Sequence, residues 1–168
     1  CTHGHMRAIV GAVFHALCIS LALEHQRPPS PSDWRRILKF LPQIAQLLRA
    51  DSEIASFWVP TWEQQAGQPI ELALEATCEE LRSALDCASD IAEPLTEEAY
   101  RKLLERLGLL SEETRGTGTT TAVIAAALAY AEHLSESPDP ASALIMAANA
   151  LGSDTDTIAS MLGAILGS

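Results

Sequence analysis

The stretch "GSDTDTIASMLGAILGS", residues 152–168, joins the tightest acidic cluster of the chain to an apolar run of small residues. Ile158, Met161, Leu162, Ile165 and Leu166 recur at the spacing of one helical face. That spacing predicts an α-helix with this face buried. Gly163 and Gly167 let a neighbouring backbone come close. Ser153 or Asp154 can cap the helix start, and Ser153 followed by Asp156 has the spacing of a capping box. Carboxylates are favoured at such a start by the exposed amides and the helix dipole. A cap needs only one acid, however. Asp154, Asp156 and Thr157 offer several hard oxygens from a single turn, the donors that Mg²⁺, Mn²⁺ and Ca²⁺ prefer. The spacing by itself leaves a cap and a metal site equally open.

The same helical reading extends through the chain. Met6 to Glu24 forms one apolar run, and "RPPSPSD" (27–33) is a loop in which Ser32 or Asp33 can cap the next helix. Ile37, Leu38, Leu41, Ile44, Leu47 and Leu48 keep a helical period that Pro42 should kink or split. Ile70–Ala88 repeats the pattern. Thr96 opens "TEEAYRKLLERLGLL", and Gly108 suits its C-terminal cap. "RGTGTTT" (115–121) reads as a loop, "AVIAAALAYAEHL" as an alanine-rich helix, and "ASALIMAANAL" as another, closed by Gly152. No stretch alternates with period two, so the predicted class is all-α. The alanine- and glycine-rich ends are expected to pack together as the core of one domain, residues 1–168, around a more polar middle.

Acidic residues outnumber basic ones 22 to 11, a net charge of −11. This argues against a nucleic-acid footprint, which would need clustered Lys and Arg. Cys1, Cys18, Cys78 and Cys87 contain no Cys-x-x-Cys pair and read as reduced thiols of a cytoplasmic protein. "AIVGAVFHALCISLAL" (8–23) is near the minimum length for a membrane span. His15 interrupts it, Arg7 and Glu24 bracket it, and a buried core helix is the preferred reading. Cys1 in first place reads as a chain cut from a longer protein.

Three blocks resemble the ADP-ribosylglycohydrolase family, the relatives of dinitrogenase reductase-activating glycohydrolase. "NALGSDTDTIASMLGAILGS" (149–168) is similar to its C-terminal signature, a glycine-bounded Asp-x-Asp-Thr before an apolar helix. "THGHMRAIVGAVFHALCISLAL" (2–23) is similar to a second block, and "GTGTTTAVIAAALAYAEHL" (116–134) with "DPASALIMAANALG" (139–152) to a third. The segment 25–115 matches nothing. The resemblance implies an orthogonally packed all-α fold with a two-metal centre, usually Mg²⁺ or Mn²⁺. It implies hydrolysis of the N- or O-glycosidic bond between ADP-ribose and a protein side chain or small acceptor. By position, Asp154, Asp156 and Thr157 would be metal ligands, His3 would lie near the ADP-ribose pyrophosphate, and Gly118 would sit in a loop that contacts ADP-ribose. The family's other metal half, a Thr-Asp-Asp-Thr motif, is absent from this sequence. The expectation is therefore the C-terminal portion of a longer enzyme, carrying half of the metal ligands and inactive alone. The rival expectation is a non-catalytic module that binds ADP-ribose or another protein.

Other residues take blander readings. Cys1, His3 and His5 lack a fourth ligand at zinc spacing. His15 reads as a hydrogen-bonded core histidine, and His133 as a residue suited to a helix C-terminus. The Gly-Thr loop lacks the lysine of a P-loop. Trp34, Trp58 and Trp62 read as satellite core rather than a base-stacking platform.

Overall fold

The computed structural model describes residues 4–89 and 95–168. Cys1 and His3 lie outside the described residues. Among the described residues there is no strand, and the elements are α1 (Met6–His25), α2 (Pro31–Leu38), α3 (Gln43–Ala50), α4 (Val59–Ala66), α5 (Ile70–Ser89), α6 (Glu97–Arg106), α7 (Gly118–Leu134), α8 (Pro140–Asn149) and α9 (Thr155–Leu166). A π-helical turn, Ile54–Trp58, runs straight into α4.

The centre is α7. Six of its 17 residues are alanine, and Thr121 through Ala129 are all buried, so neighbours surround it on every side. α1, α5 and α9 pack directly on it, and α8 packs on α9. A helix apolar all round belongs in a core. Alanine makes this possible, because it is the best helix former and lets axes approach closely.

The closest approach is made by two glycines. A Cβ on Gly11 of α1 would stand 2.3 Å from the carbonyl oxygen of Gly118, and a Cβ on Gly118 would stand 3.1 Å from the Cα of Ala8. Gly11 has no room for a Cβ at this crossing, and a Cβ on Gly118 would be tight. The crossing fixes the first turn of α7 against the first turns of α1. Among the described residues α1 is the one helix long and apolar enough to cross a membrane. Val10, Phe14, Cys18 and Ala22 form its inward face and are buried.

Local signals explain most boundaries. Pro42 splits the helical run into α2 and α3. Ser30, rather than Ser32 or Asp33, caps α2. Its hydroxyl accepts the Asp33 N–H, and the Asp33 carboxylate accepts the Ser30 N–H in return. Asp33 also takes a charged hydrogen bond from Arg27, 2.9 Å. Gly108 has φ of +70° just past α6, the conformation that favours glycine. The region read as a loop shortens in the structure: α7 already begins at Gly118, and Thr119 and Thr121 are buried helical residues. Trp34 is fully buried, edge-on to Tyr130 with ring centres 5.9 Å apart. Trp58 and Trp62 pack on the rim of the core. His15 is half-buried, and its Nδ1 has no hydrogen-bond partner among the described residues, so the expected bond is not made there.

Candidate active site

The acidic cluster sits where α9 begins. Gly152 turns the chain with φ of +97°. Ser153 then bonds backward, its N–H and hydroxyl both donating to the Ala150 carbonyl at 3.2 and 2.9 Å. Ser153 therefore does not make the capping box with Asp156. Asp154 is the cap residue instead, yet its carboxylate accepts no backbone N–H. It accepts the Thr157 hydroxyl, 3.0 Å from Oγ1 to Oδ1. The two acids are thus not consumed by capping. Asp156 and Thr157 are exposed, and Asp154 is half-buried.

Burial pushes the Asp154 carboxyl above its ordinary range. The Thr157 hydrogen bond opposes this, Asp156 adds to it as a hydrogen-bonding neighbour of like charge, and Arg115 partly offsets it. Two acids in this relation are held together against their repulsion, which a divalent cation would relieve.

The wall facing Asp154 comes from the turn before α7. Gly116 lies near the carboxylate, and a Cβ built on it would make an ordinary contact with Asp154 Oδ2 at 3.7 Å. Glu112, Glu113, Arg115 and Thr117 complete an open cleft of about 580 Å³. Thr117 is the cap residue of α7 but its hydroxyl caps no backbone N–H. Its carbonyl accepts the hydroxyls of Thr120 and Thr121 at 3.2 and 2.9 Å. The first-turn amides of α7 are therefore left without a side-chain cap beside the acids, a place suited to anionic groups.

Asp154, Asp156 and Thr157 come together as expected, on one helical turn. Gly118 sits at the α1–α7 crossing, where packing leaves little space for a Cβ, with its amide in the same uncapped turn. His3 is outside the described residues. Its neighbour His5 caps α1, Nδ1 accepting the Arg7 N–H at 3.2 Å. Sequence reasoning missed Glu112, Glu113, Arg115 and Thr117 as cleft residues, because nothing in a polar turn marks which side chains face an acid some forty positions on.

Among the described residues no group of three or more His, Cys, Asp or Glu is placed to hold a metal ion. The donor set of Asp154, Asp156 and Thr157 fits part of a coordination shell for a hard cation, not all of one.

The sequence model of the ADP-ribosylglycohydrolases matches residues 1–168. The chain belongs to the ADP-ribosylglycohydrolase family. The match runs through 25–115, where no resemblance was visible in the residues. No curated protein and no solved structure gives a significant match. As a family member with an all-α fold, the chain is grouped with hydrolases of ADP-ribosyl linkages.

Proposed function

We propose that this ADP-ribosylglycohydrolase performs metal-dependent hydrolysis of the glycosidic bond between ADP-ribose and a protein side chain or small acceptor. The observation that carries the reading is that Asp154 and Asp156 are free of capping duty while facing a cleft beside uncapped amides. Asp154, Asp156 and Thr157 would hold Mg²⁺ or Mn²⁺ as one half of a two-metal centre. When bound, such ions supply charge stabilisation and lower the pKa of a coordinated water. The chain's own residues set the frame. The Thr157 hydroxyl orients Asp154, and the first turn of α7 receives the phosphates. We propose a cytoplasmic location, in which the free thiols of Cys18, Cys78 and Cys87 would stay reduced.

One observation favours a second reading, a module that binds ADP-ribose without cleaving it: the ligand set among the described residues is incomplete. One pair of measurements separates the two. In the full-length protein, Mn²⁺ should raise the melting temperature by mass action, and Asp156→Asn should remove most of that rise and the turnover of an ADP-ribosylated substrate. Asparagine caps helices as well as aspartate, so the apo fold should survive. If the variant responds to Mn²⁺ and turns over like wild type, Asp156 is no ligand. A protein that binds ADP-ribose but never releases it from substrate is the second reading.

A further inference from the structure

We propose that the groove between α2 and the second half of α5 binds a small apolar carboxylate, a hydrocarbon body with one anionic head. The groove shares no residue with the acidic cleft, and its occupancy is independent of the hydrolytic reading.

Both walls follow helical spacing. Pro31, Arg35, Leu38 and Lys39 lie on one face of α2, and Pro42 continues that face past its end. Arg82, Leu85, Asp86 and Ser89 form the facing wall on α5. The two helices pack on one another, and Leu38 and Leu85 are buried between them. The cavity is about 420 Å³, within the range of small-ligand sites. From Arg82 to Ser89 its α5 wall is about 10 Å long by the helical rise. Two leucines and two prolines make most of the lining apolar, so a hydrocarbon chain laid there would leave water.

Charge selects the head group. Arg35 and Lys39 are exposed and make no ion pair among the described residues. Most other cations are engaged: Arg7 by Glu80, Arg27 by Asp33, Arg49 by Glu63 and Glu71, and Lys102 by Glu98. Arg82, the third cation of the groove, is held by Glu79 at 2.8 Å. Asp86 is the single carboxylate of the lining, and neither Arg35 nor Lys39 pairs with it. Two unpaired cations thus stand four residues apart along one apolar groove.

The helix dipole does not account for both. Cations near a helix C-terminus gain from its last carbonyls, but helical side chains lean toward the N-terminus. That lean carries Arg35 over Pro31, one turn back, rather than onto the carbonyls that end α2. A guanidinium there offers a carboxylate a fork of donors, and the Lys39 ammonium adds a point charge. The net charge of −11 repels anions from afar. Exposed charges are largely screened beyond about 8 Å at physiological ionic strength, however, so the local cations decide.

The test titrates octanoate into the full-length protein by calorimetry, with octanol and acetate alongside. Octanoate should bind at a single site and more tightly than either, since octanol lacks the head and acetate the body. On binding, the Leu38 and Leu85 methyl resonances should shift. The Arg35→Gln/Lys39→Gln variant should bind octanoate about tenfold more weakly and octanol as wild type does. Both residues are on the surface, so the variant folds. Arg101→Gln/Lys102→Gln, which removes the same charge from α6, should leave octanoate affinity unchanged. Equal affinity for octanoate and octanol, an unchanged octanoate affinity in the Arg35/Lys39 variant, an equal loss in the two double variants, or unmoved Leu38 and Leu85 resonances overturns the assignment. The Mn²⁺ response tests the metal reading separately, and failure of either leaves the other standing.

Discussion

Gly11→Ala tests the crossing that fixes the candidate site. The added Cβ would stand 2.3 Å from the Gly118 oxygen, 2.5 Å from the Gly118 carbonyl carbon and 3.0 Å from the Thr119 nitrogen. All three are backbone atoms, so no side chain can swing aside. A comfortable carbon–oxygen contact is about 3.3 Å, so α1 and α7 must part by roughly 1 Å. Because α7 is enclosed on every side, that movement disturbs the packing of α5 and α9 as well. Overpacking of this severity costs about 3 kcal/mol, against about 1 kcal/mol gained in helix propensity. The net loss is about 2 kcal/mol, or a fall in melting temperature of about 4–8 °C for a chain of this size. Thermal unfolding followed by circular dichroism measures it. Gly163→Ala is the control, since its Cβ would meet only the tip of Leu144 at 3.4 Å. That variant should melt within a degree or two of wild type or above it. If Gly11→Ala melts at or above wild type, the two backbones are not in contact and the placement of Thr117 beside Asp154 loses its support.

Leu162→Asp should abolish folding, because Leu162 is fully buried and an unpaired charge there costs several kcal/mol; a folded variant by circular dichroism would show that α9 is not packed on α7. Asp33→Asn should destabilise at neutral pH by about 1–3 kcal/mol. Burial alone would raise the Asp33 carboxyl, but the Ser30 and Arg27 hydrogen bonds outweigh it and hold the group below its ordinary 3.8. A depressed carboxyl stabilises the fold above its unfolded-state pKa and loses that contribution as pH falls through the folded-state value. The gap between wild type and variant, read from urea melts, should therefore be full at pH 7 and close below about pH 3.8. Glu80→Gln should cost under about 1 kcal/mol, since Arg7 and Glu80 are 44% and 46% exposed; a larger loss in the same melts would show that this pair holds α1 to α5 more firmly than a surface ion pair does.

Helices were legible wherever a long apolar period decides them. The run predicted for Met6 to Glu24 ends one residue later in the structure, at His25, and that of Ile70–Ala88 is helical throughout. Caps were less legible, because Ser30, Ser32 and Asp33 are all competent and only the folded loop selects Ser30. Ser153 failed as a cap for a similar reason: the Gly152 turn brings the Ala150 carbonyl within reach of its hydroxyl. The grouping of Asp154, Asp156 and Thr157 was visible because it lies within one turn. Gly116 and Arg115 were not, since they depend on which distant turns the helix crossings bring together. Gly118 shows the limit most directly. Its partner Gly11 is far away in sequence, so a residue marked only by its flexible-looking loop proves to be held by helix packing.

The alanine surface of α7 has a mechanical consequence. Alanine has no rotamers with which to absorb a displacement, so strain entering one end of the helix shifts the whole rod, about 25 Å long. At its far end, buried Glu132 accepts the Asp139 N–H and ties the rod to the turn before α8. At its near end stand Thr117 and Gly118, between the acids and the first turn of α1. The turn that lines the acidic cleft thus belongs to a helix anchored twice, by the backbone crossing of Gly11 and Gly118 beside the cleft and by Glu132 on the opposite side of the molecule.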